Sequence, residues 1–202
     1  MTSDNTRERI LVEARIIFQR KGLSGARMQE IADAVGINKA MLHYYFDSKE
    51  RLFSAVFEEA AAMLFAMINR VLEAEVPLTA KLRTFVDEYL DLLLEHPHIP
   101  AFVLGEVHRD PERAQQIATS LRLDRFATQV EGEVRAGRIR PTDPYRLLLD
   151  LLSLCVFPFA ARPMLQGAFG LNDHAFKEMI NRRKAEIPDL LLLSLEPQEN
   201  RR

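Results

Sequence analysis

Four side chains that can bond or neutralise a phosphate lie within one short stretch: Lys39, His43, Tyr44 and Lys49. Each of them can donate a hydrogen bond, and the two lysines carry a full positive charge. Lys39 and His43 are four residues apart, so on a helix they share one face. Polar aromatic rings beside a lysine are rigid amphipathic donors, which suit a surface that an anionic partner covers.

The elements that position these residues are two short helices joined by a tight turn. Ile31 and Val35 give the first helix an apolar face, and Leu42 and Tyr45 give one to the second. Gly36 stands between them, where the turn needs a backbone free to adopt a positive φ. This pattern predicts a helix-turn-helix whose second helix packs by its inner face and leaves its outer face free.

The outer face of that second helix has the chemistry of a DNA contact. The leading residues of such a helix meet base edges in the major groove. Lys39 suits the O6 and N7 atoms of guanine, and Ala40 or Met41 suits a thymine methyl group. His43 and Tyr44 lie a turn later, nearer the strands, where they suit phosphates. A helix-turn-helix used only for packing is one alternative. Tyr44 and Tyr45 as ordinary core residues is another, which we favour for Tyr45 and not for Tyr44.

The next helix adds an anion site beside this face. Asp47 is expected to cap it, with Glu50 three residues on completing a capping box. A helix start offers free N–H groups and the positive end of the dipole, and Lys49 adds a charge there. We therefore expect Lys49 to contact the DNA backbone.

Helical periodicity covers nearly the whole chain, and no stretch alternates with period two. The predicted fold is all-α, with a three-helix head on a larger helical body and about nine helices in total. The boundary is expected near the start of the long fourth helix, which gives a domain of residues 1–53 and a domain of residues 54–202. Among the later helices we expect one from about 111 to 137, one through 147–165 with a kink at Pro158, and a last one from 173 towards 195.

Composition points to a soluble cytoplasmic protein with no membrane partner. Apolar residues make up 48% of the 202, enough for a sizeable core. The longest apolar run, 151–161, is shorter than the ~20 residues of a membrane span, and the start of the chain lacks the apolar region of a signal peptide. Residues 1–53 hold 9 Lys+Arg and 7 Asp+Glu against 18 and 22 in the rest, a weak sign of a basic head on an acidic body.

Enzyme and metal chemistry are not expected. The chain has no glycine-rich nucleotide loop, no HExxH and no GxSxG motif. His96, His98, Glu106 and His108 are possible metal ligands, but their spacing fits no helical pair and two prolines interrupt them. Cys155 lies in an apolar helix with no histidine nearby in sequence, which favours an inert thiol. We therefore expect no cofactor and no metal.

The chain resembles the TetR (tetracycline repressor) family of transcriptional regulators. The resemblance covers about residues 8–53, a quarter of the chain, and rests on "ILVEARIIFQRKG" followed by "IADAVGINKAMLHYYFDSKERLF". It is carried by the Ile-Ala pair, the turn glycine, the aromatic pair, the following phenylalanine and the Ser-Lys-Glu triplet. These are Ile31-Ala32, Gly36, His43-Tyr44, Phe46 and Ser48-Lys49-Glu50.

Some positions depart from the family pattern. Arg27 stands where the family often has threonine, His43 where tyrosine is usual, and Lys39-Ala40-Met41 where Lys-Gly-Thr is common, so base preference cannot be carried over. Arg27, Met28 and Gln29, at the start of the first motif helix, are still expected beside DNA. Arg7 and Arg9 could enter the minor groove from an arm, with solvated surface arginines as an equal alternative.

The resemblance implies a homodimer, built from the last two long helices of each subunit, that binds a palindromic or pseudo-palindromic operator in double-stranded DNA. Two heads would then lie about 34–36 Å apart on successive major grooves. It also implies a cavity in the body for a small, largely apolar effector. The candidate lining residues, for each of which ordinary helical core is the alternative, are Met63, Met67, Tyr89, Phe102, Phe126, Cys155, Phe157 and Phe159.

The sequence therefore predicts a ligand-responsive DNA-binding transcriptional regulator, most simply a repressor released from its operator by a small molecule. Two alternatives stay open. One is a constitutive or activating DNA-binding protein of the same fold. The other is a helical ligand-binding adaptor that does not bind DNA.

Overall fold

The computed structural model describes residues 3–197, with side chains from residue 5 onward, and forms 11 helices and no strand within that range. The helices are α1 (Ser3–Gly25), α2 (Met28–Val35), α3 (Lys39–Tyr45), α4 (Lys49–Glu73), α5 (Leu78–Glu95), α6 (Ile99–Arg109), α7 (Pro111–Ser120), α8 (Asp124–Arg135), α9 (Pro144–Ala160), α10 (Arg162–Phe169) and α11 (Asp173–Leu195). The predicted all-α class is confirmed, and the count is 11 rather than about nine.

Two hydrophobic cores are joined by α4. The head core contains the buried side chains of α1, α2 and α3 and continues along α4 as far as Val56. The body core begins one residue later, at Phe57, and takes in residues of α4, α5, α6, α8, α9 and α11. Phe102 of α6 packs against both cores. α4 therefore belongs to both packed units, and α6 contacts both of them through Phe102.

The helix expected from 111 to 137 is two helices, α7 and α8, with a break at 121–123. Asn69 of α4 bonds both sides of this break. Its amide nitrogen donates to Ser120 O at 2.8 Å, and its amide oxygen accepts from Arg122 N at 2.9 Å. Because these two backbone groups have partners outside their own helix, the chain can stop one helix and start another without burying an unpaired group.

The helix expected through 147–165 also ends early. Between α9 and α10 the chain bends by 69°. Pro163 has no N–H to offer the carbonyl of Phe159, and it stands in the first turn of α10, where proline is well tolerated. The bend therefore lies at Ala161 and not at Pro158, which stays inside α9.

Pro158 leaves one backbone carbonyl of α9 without its helical hydrogen bond, and a side chain of a neighbouring helix supplies the donor. Without an N–H, it cannot bond the carbonyl of Leu154 four residues earlier. The guanidinium of Arg183 on α11 donates to that carbonyl at 2.8 Å. A defect in one helix is thus satisfied by the side chain of another, and this bond ties α9 to α11.

A buried lysine likewise donates a hydrogen bond to a free backbone carbonyl at the end of α4. Lys81 is 1% exposed, and its ammonium group donates to Leu72 O at 2.7 Å, one of the carbonyls left free at the end of a helix. Burial, and secondly the charge of Arg125, lower the pKa of Lys81. The two core helices α4 and α5 are therefore joined by a hydrogen bond as well as by apolar packing.

By length and composition alone α4 could cross a membrane. In the fold, however, its apolar stripe from Leu52 to Leu72 is buried against the other helices. Packing within the protein accounts for this hydrophobicity.

α9 and α11 each present large apolar side chains to solvent. Tyr145 and Leu149 on α9 are 57% and 64% exposed, and Leu190 and Leu193 on α11 are 55% and 65% exposed. Phe157 lies with them, at 56%. Large apolar side chains exposed on neighbouring helices are typical of a protein–protein contact surface.

We predict that Arg183→Met destabilises the fold by about 1–3 kcal/mol, because it leaves the carbonyl of Leu154 buried without a donor. The measurement is urea unfolding followed by circular dichroism at one fixed protein concentration. In a Pro158→Ala background the same substitution should cost clearly less, since residue 158 then supplies the missing N–H. Arg182→Met, at an exposed neighbour, is the control. An equal loss in both backgrounds would contradict this role of Arg183.

Candidate nucleic-acid interface

The turn between α2 and α3 has the predicted geometry. Gly36 adopts φ 75° and ψ 37°, the left-handed region that favours glycine. Its N–H donates to Asp33 O at 3.2 Å, and the N–H of Ile37 donates to Ala32 O at 3.0 Å, which closes α2. Asn38 then caps α3 by accepting from Met41 N at 2.7 Å. The predicted turn at Gly36 is confirmed.

α3 has one buried face and one exposed face, as the sequence pattern predicts. Leu42 is fully buried and Phe46, which follows the helix, is 6% exposed, while Tyr45 is half-buried. The opposite face is open to solvent, with Tyr44 82% exposed although it is a large aromatic residue. The other exposed residues of this face are Lys39, Ala40, Met41 and His43.

The start of α4 carries Lys49 beside α3, but its cap is not the predicted one. Ser48 caps the helix by accepting from Arg51 N at 3.1 Å, while the carboxylate of Asp47 pairs with the Arg51 side chain at 2.8 Å. The expected capping box of Asp47 and Glu50 is therefore wrong, because Asp47 lies one residue too early. Lys49 is half-buried and donates to Ala26 O at 3.2 Å. An ammonium group has three N–H bonds, so this contact positions the charge and leaves two donors.

Three further predicted contacts lie at the start of α2. Arg27 and Gln29 are exposed, and the Gln29 amide donates to Asp33 at 2.7 Å. Met28 is 9% exposed and belongs to the head core, so its side chain cannot contact DNA as expected. The reason is the period of the helix, which turns Met28 to the same face as Ile31 and Ala32.

The arginines of α1 hold the head together. Arg9 donates to Val35 O, the last carbonyl of α2, at 2.6 Å. Arg7 lies over the ring of Phe46 with 5.3 Å between the guanidinium carbon and the ring centroid. Both residues are within α1 and touch its neighbours, so they are tied to the head and do not extend from it as an arm.

The residues predicted to line an effector cavity are mostly core residues. Met67, Tyr89, Phe126, Cys155 and Phe159 are buried in the body core, and Met63 and Phe102 are half-buried at its edge. Phe157 does not join them, because it lies on the outer face of α9. Seven of the eight candidates are thus brought to one core.

Two of these residues have strongly shifted acidities. Burial raises the pKa of the Cys155 thiol to about 12, although the charge of Arg183 acts in the opposite direction. Burial, and secondly Cys155, raise the pKa of the Tyr89 phenol. Both groups are therefore neutral near pH 7, and the thiol is not a nucleophile there.

A buried carboxylate lies where α6, α7 and α4 meet. Glu106 is 5% exposed and pairs with Arg109 and with Arg113, whose Nε lies 3.7 Å from it. Arg113 also contacts Asp110 at 3.1 Å and donates to the hydroxyl of Ser54 on α4. The backbone N–H of Arg113, and its charge, lower the pKa of Asp110.

These arginines cover the aromatic rings at the border of the two cores. Arg109 lies 5.3 Å from the centroid of Phe53, in the head core, and Arg113 lies 5.1 Å from that of Phe57, in the body core. Phe102 packs on both rings, at 5.3 Å and 5.9 Å. No sequence pattern marks this junction, since Ser54 and Arg113 are 59 residues apart.

An open cleft of about 500 Å³ lies beside this junction, between α4 and α7. Phe57, Ala61 and Phe65 of α4 form one wall, and Arg113 and Ile117 of α7 form the other. Its size is within the range of small-molecule sites, and its lining also includes polar side chains such as Asn69 and Asp110.

Comparison with known proteins agrees with this geometry. Residues 10–56 match the family model described as "Bacterial regulatory proteins, tetR family". The HTH-type transcriptional regulator RutR of Escherichia coli K12 is 25% identical over 198 residues, covering 94% of this chain and 90% of RutR. The HTH-type transcriptional repressor NicS of Pseudomonas putida is 32% identical over 109 residues, 52% of this chain and 49% of NicS. The crystal structure of PfmR, a TetR family regulator from Thermus thermophilus, superposes with a TM-score of 0.69 at 25% identity, covering 93% of this chain and 98% of PfmR.

We predict that Lys49→Ala weakens binding to DNA of every sequence alike and lowers the slope of log affinity against log salt by about one per subunit. A phosphate contact carries no sequence information, so the loss should be uniform. Lys39→Ala should instead change the preference among sequences. The measurement is fluorescence anisotropy over a salt series, with thermal melting to check that the lost bond to Ala26 O leaves the head folded. An unchanged salt slope in folded Lys49→Ala would contradict the assignment.

Proposed function

The chain belongs to the TetR family of transcriptional regulators, and from that premise we propose that it is a repressor that leaves its operator when a small molecule binds its body. The observation that carries the proposal is the division of α3. Its apolar side is buried in the head, while Lys39 and Tyr44 project into solvent. The exposed side of α3 thus offers a lysine ammonium group and the hydroxyl of Tyr44, which is 82% exposed, as hydrogen-bond donors to a partner.

The DNA contacts follow from the position of each side chain on the head. Lys39, Ala40 and Met41 form the leading turn of α3 and are assigned to base edges. His43 and Tyr44, a turn later, are assigned to phosphates. Lys49, already positioned by Ala26 O, is assigned to a phosphate near the start of α4. Arg27 and Gln29, exposed at the start of α2, complete the assigned surface.

We place the boundary of the head at residue 53 and assign residues 54–202 to effector binding and dimerisation. Separate head and body cores support a division into two domains, with the head core continuing to Val56, three residues past this boundary. Family members bind operator DNA as dimers. The apolar face of α9 and α11 is the surface we assign to the partner subunit, and a two-fold dimer implies an operator that is palindromic or nearly so. The protein acts in the cytoplasm, where its DNA is.

We place the effector in the body, against the seven core residues from Met63 to Phe159 described above. Their side chains are apolar or neutral, which favours a largely apolar molecule. Met63 and Met67 lie on α4, the helix that continues into the head. Methionine side chains are flexible enough to make room for a ligand. Displacing them would act directly on the helix that orients the head.

The junction at Arg113 gives the effector a route to the head. Arg113 bonds Ser54 on α4 and stacks on Phe57, and it also forms a wall of the cleft between α4 and α7. A molecule that moves α7 or the nearby core must therefore pull on α4 close to the end of the head core. Such a displacement changes the spacing of two heads in a dimer, and hence their fit to successive major grooves.

A gel-shift screen of genomic fragments tests the function. A repressor should retain a few fragments specifically and release them when the effector is added. Specific binding that no cell extract or metabolite pool reverses would favour a constitutive regulator, and activation of transcription in vitro would favour an activator. Absence of specific binding would leave a helical ligand-binding adaptor.

We predict that Leu149→Glu produces monomers, because it puts a charge in the middle of the apolar face of α9. Sedimentation velocity should show one species of half the native mass. Leu104→Glu is the matched control: Leu104 is 50% exposed but lies on α6, so this variant should stay dimeric. A Leu149→Glu protein that remains a dimer would refute this placement of the interface.

We predict that Arg113→Gln weakens operator binding by roughly 2- to 30-fold although residue 113 does not touch DNA. The substitution removes the link between α7 and Ser54, so the head is held less firmly in the orientation that binds. Arg122→Gln, at an exposed arginine just after α7, should leave affinity unchanged. Binding is measured by anisotropy on protein whose folded fraction is checked by circular dichroism. Native affinity in folded Arg113→Gln would rule out this coupling.

A further inference from the structure

His43 has one ring nitrogen committed to the protein. Its Nδ1 lies 3.1 Å from the carbonyl oxygen of Asp47, in the turn between α3 and α4. A carbonyl oxygen only accepts hydrogen bonds, so Nδ1 must carry the hydrogen. In the part of the chain that the structure describes, no other donor reaches this oxygen. The bond therefore fixes both the orientation of the ring and its neutral tautomer.

The fixed tautomer determines what the other nitrogen can offer. In the neutral ring, Nε2 has a lone pair and no hydrogen, so it can only accept. Phosphate oxygens also only accept, and the two groups cannot bond. When the ring gains a proton, Nε2 becomes a donor and the ring carries a positive charge. Only the imidazolium form of His43 can thus bond a phosphate without giving up Asp47 O.

The surrounding charges do not provide another partner for this proton. The carboxylate of Asp47 pairs with Arg51 at 2.8 Å. On α2, the helix packed against α3, Glu30 pairs with Lys21 at 2.6 Å and Asp33 accepts from Gln29 at 2.7 Å. On α3 itself, Lys39 lies one turn before His43 on the same exposed face. Within the described contacts neither these carboxylates nor Glu50, exposed in the first turn of α4, bonds the His43 ring, and we assign an operator phosphate to it.

We propose that His43 binds an operator phosphate as an imidazolium, so that operator binding is coupled to the proton on the His43 ring. This rests on the proposed DNA-binding function and specifies the chemistry of one contact. By linkage, affinity falls as pH rises through the range in which histidine loses its charge, between about pH 5 and 8. A tyrosine phenol at this position is a donor throughout that range, so a tyrosine would not show this dependence.

The test is operator affinity measured by anisotropy at about pH 6 and about pH 8 and at constant ionic strength. A shift of one unit in the proton affinity of each ring is worth roughly tenfold per subunit. We expect the native dimer to bind at least that much more tightly at the lower pH. His43→Gln and His43→Tyr should show little dependence on pH. His174→Gln, at an exposed histidine of α11, should keep the native dependence.

Each outcome decides the proposal. Specific binding whose pH dependence is the same in native protein and in His43→Gln overturns it, as does tighter binding at high pH, which would indicate that neutral Nε2 accepts from a base amino group. Absence of specific binding at every pH overturns the DNA-binding function and this contact with it. Nitrogen-15 NMR of the free protein gives an independent check: a neutral His43 ring with its hydrogen on Nε2 would refute the tautomer assignment.

Discussion

The structure depends on one helix being buried in two cores at once. α4 supplies Val56 to the head and Phe57 to the body, with no break between them. Because each core is packed around the same rigid helix, neither can rotate without repacking the other. Head orientation is therefore a property of the whole subunit. This continuity gives the proposed binding event in the body a mechanical route to the surface that we assign to DNA.

Around this helix, charged side chains occupy positions where an all-α fold has backbone groups without partners. Lys81 bonds a carbonyl at the end of α4, Arg9 bonds one at the end of α2, and Arg183 bonds the one that Pro158 cannot reach. Burial of the Lys81 charge is tolerable because its ammonium group meets a carbonyl that would otherwise be unsatisfied. The same long side chains cross between helices, so satisfying the backbone also fixes which helices are neighbours.

Residues close together in the chain were sufficient to predict the local features of the fold. The turn at Gly36 and the inward direction of Leu42 follow from the helical period and from one residue's backbone freedom. The sequence was not sufficient where contacts between residues far apart in the chain determine the structure. The break after α7 exists because Asn69, some 50 residues earlier, bonds both of its sides. Glu106 looked like a candidate metal ligand, and only the fold brings Arg109 and Arg113 to it. The assigned DNA and effector contacts stay predictions, because they depend on molecules that the chain alone does not specify.

The lone thiol in α9 has a practical consequence. Cys155 is fully covered, and burial raises the pKa of its thiol, so that the thiol stays protonated at neutral pH. A sulfhydryl reagent can modify it only during moments when α9 separates from the helices packed on it. The rate of alkylation of the native protein therefore measures how often the interior opens, and a tightly bound ligand in the body would slow that rate.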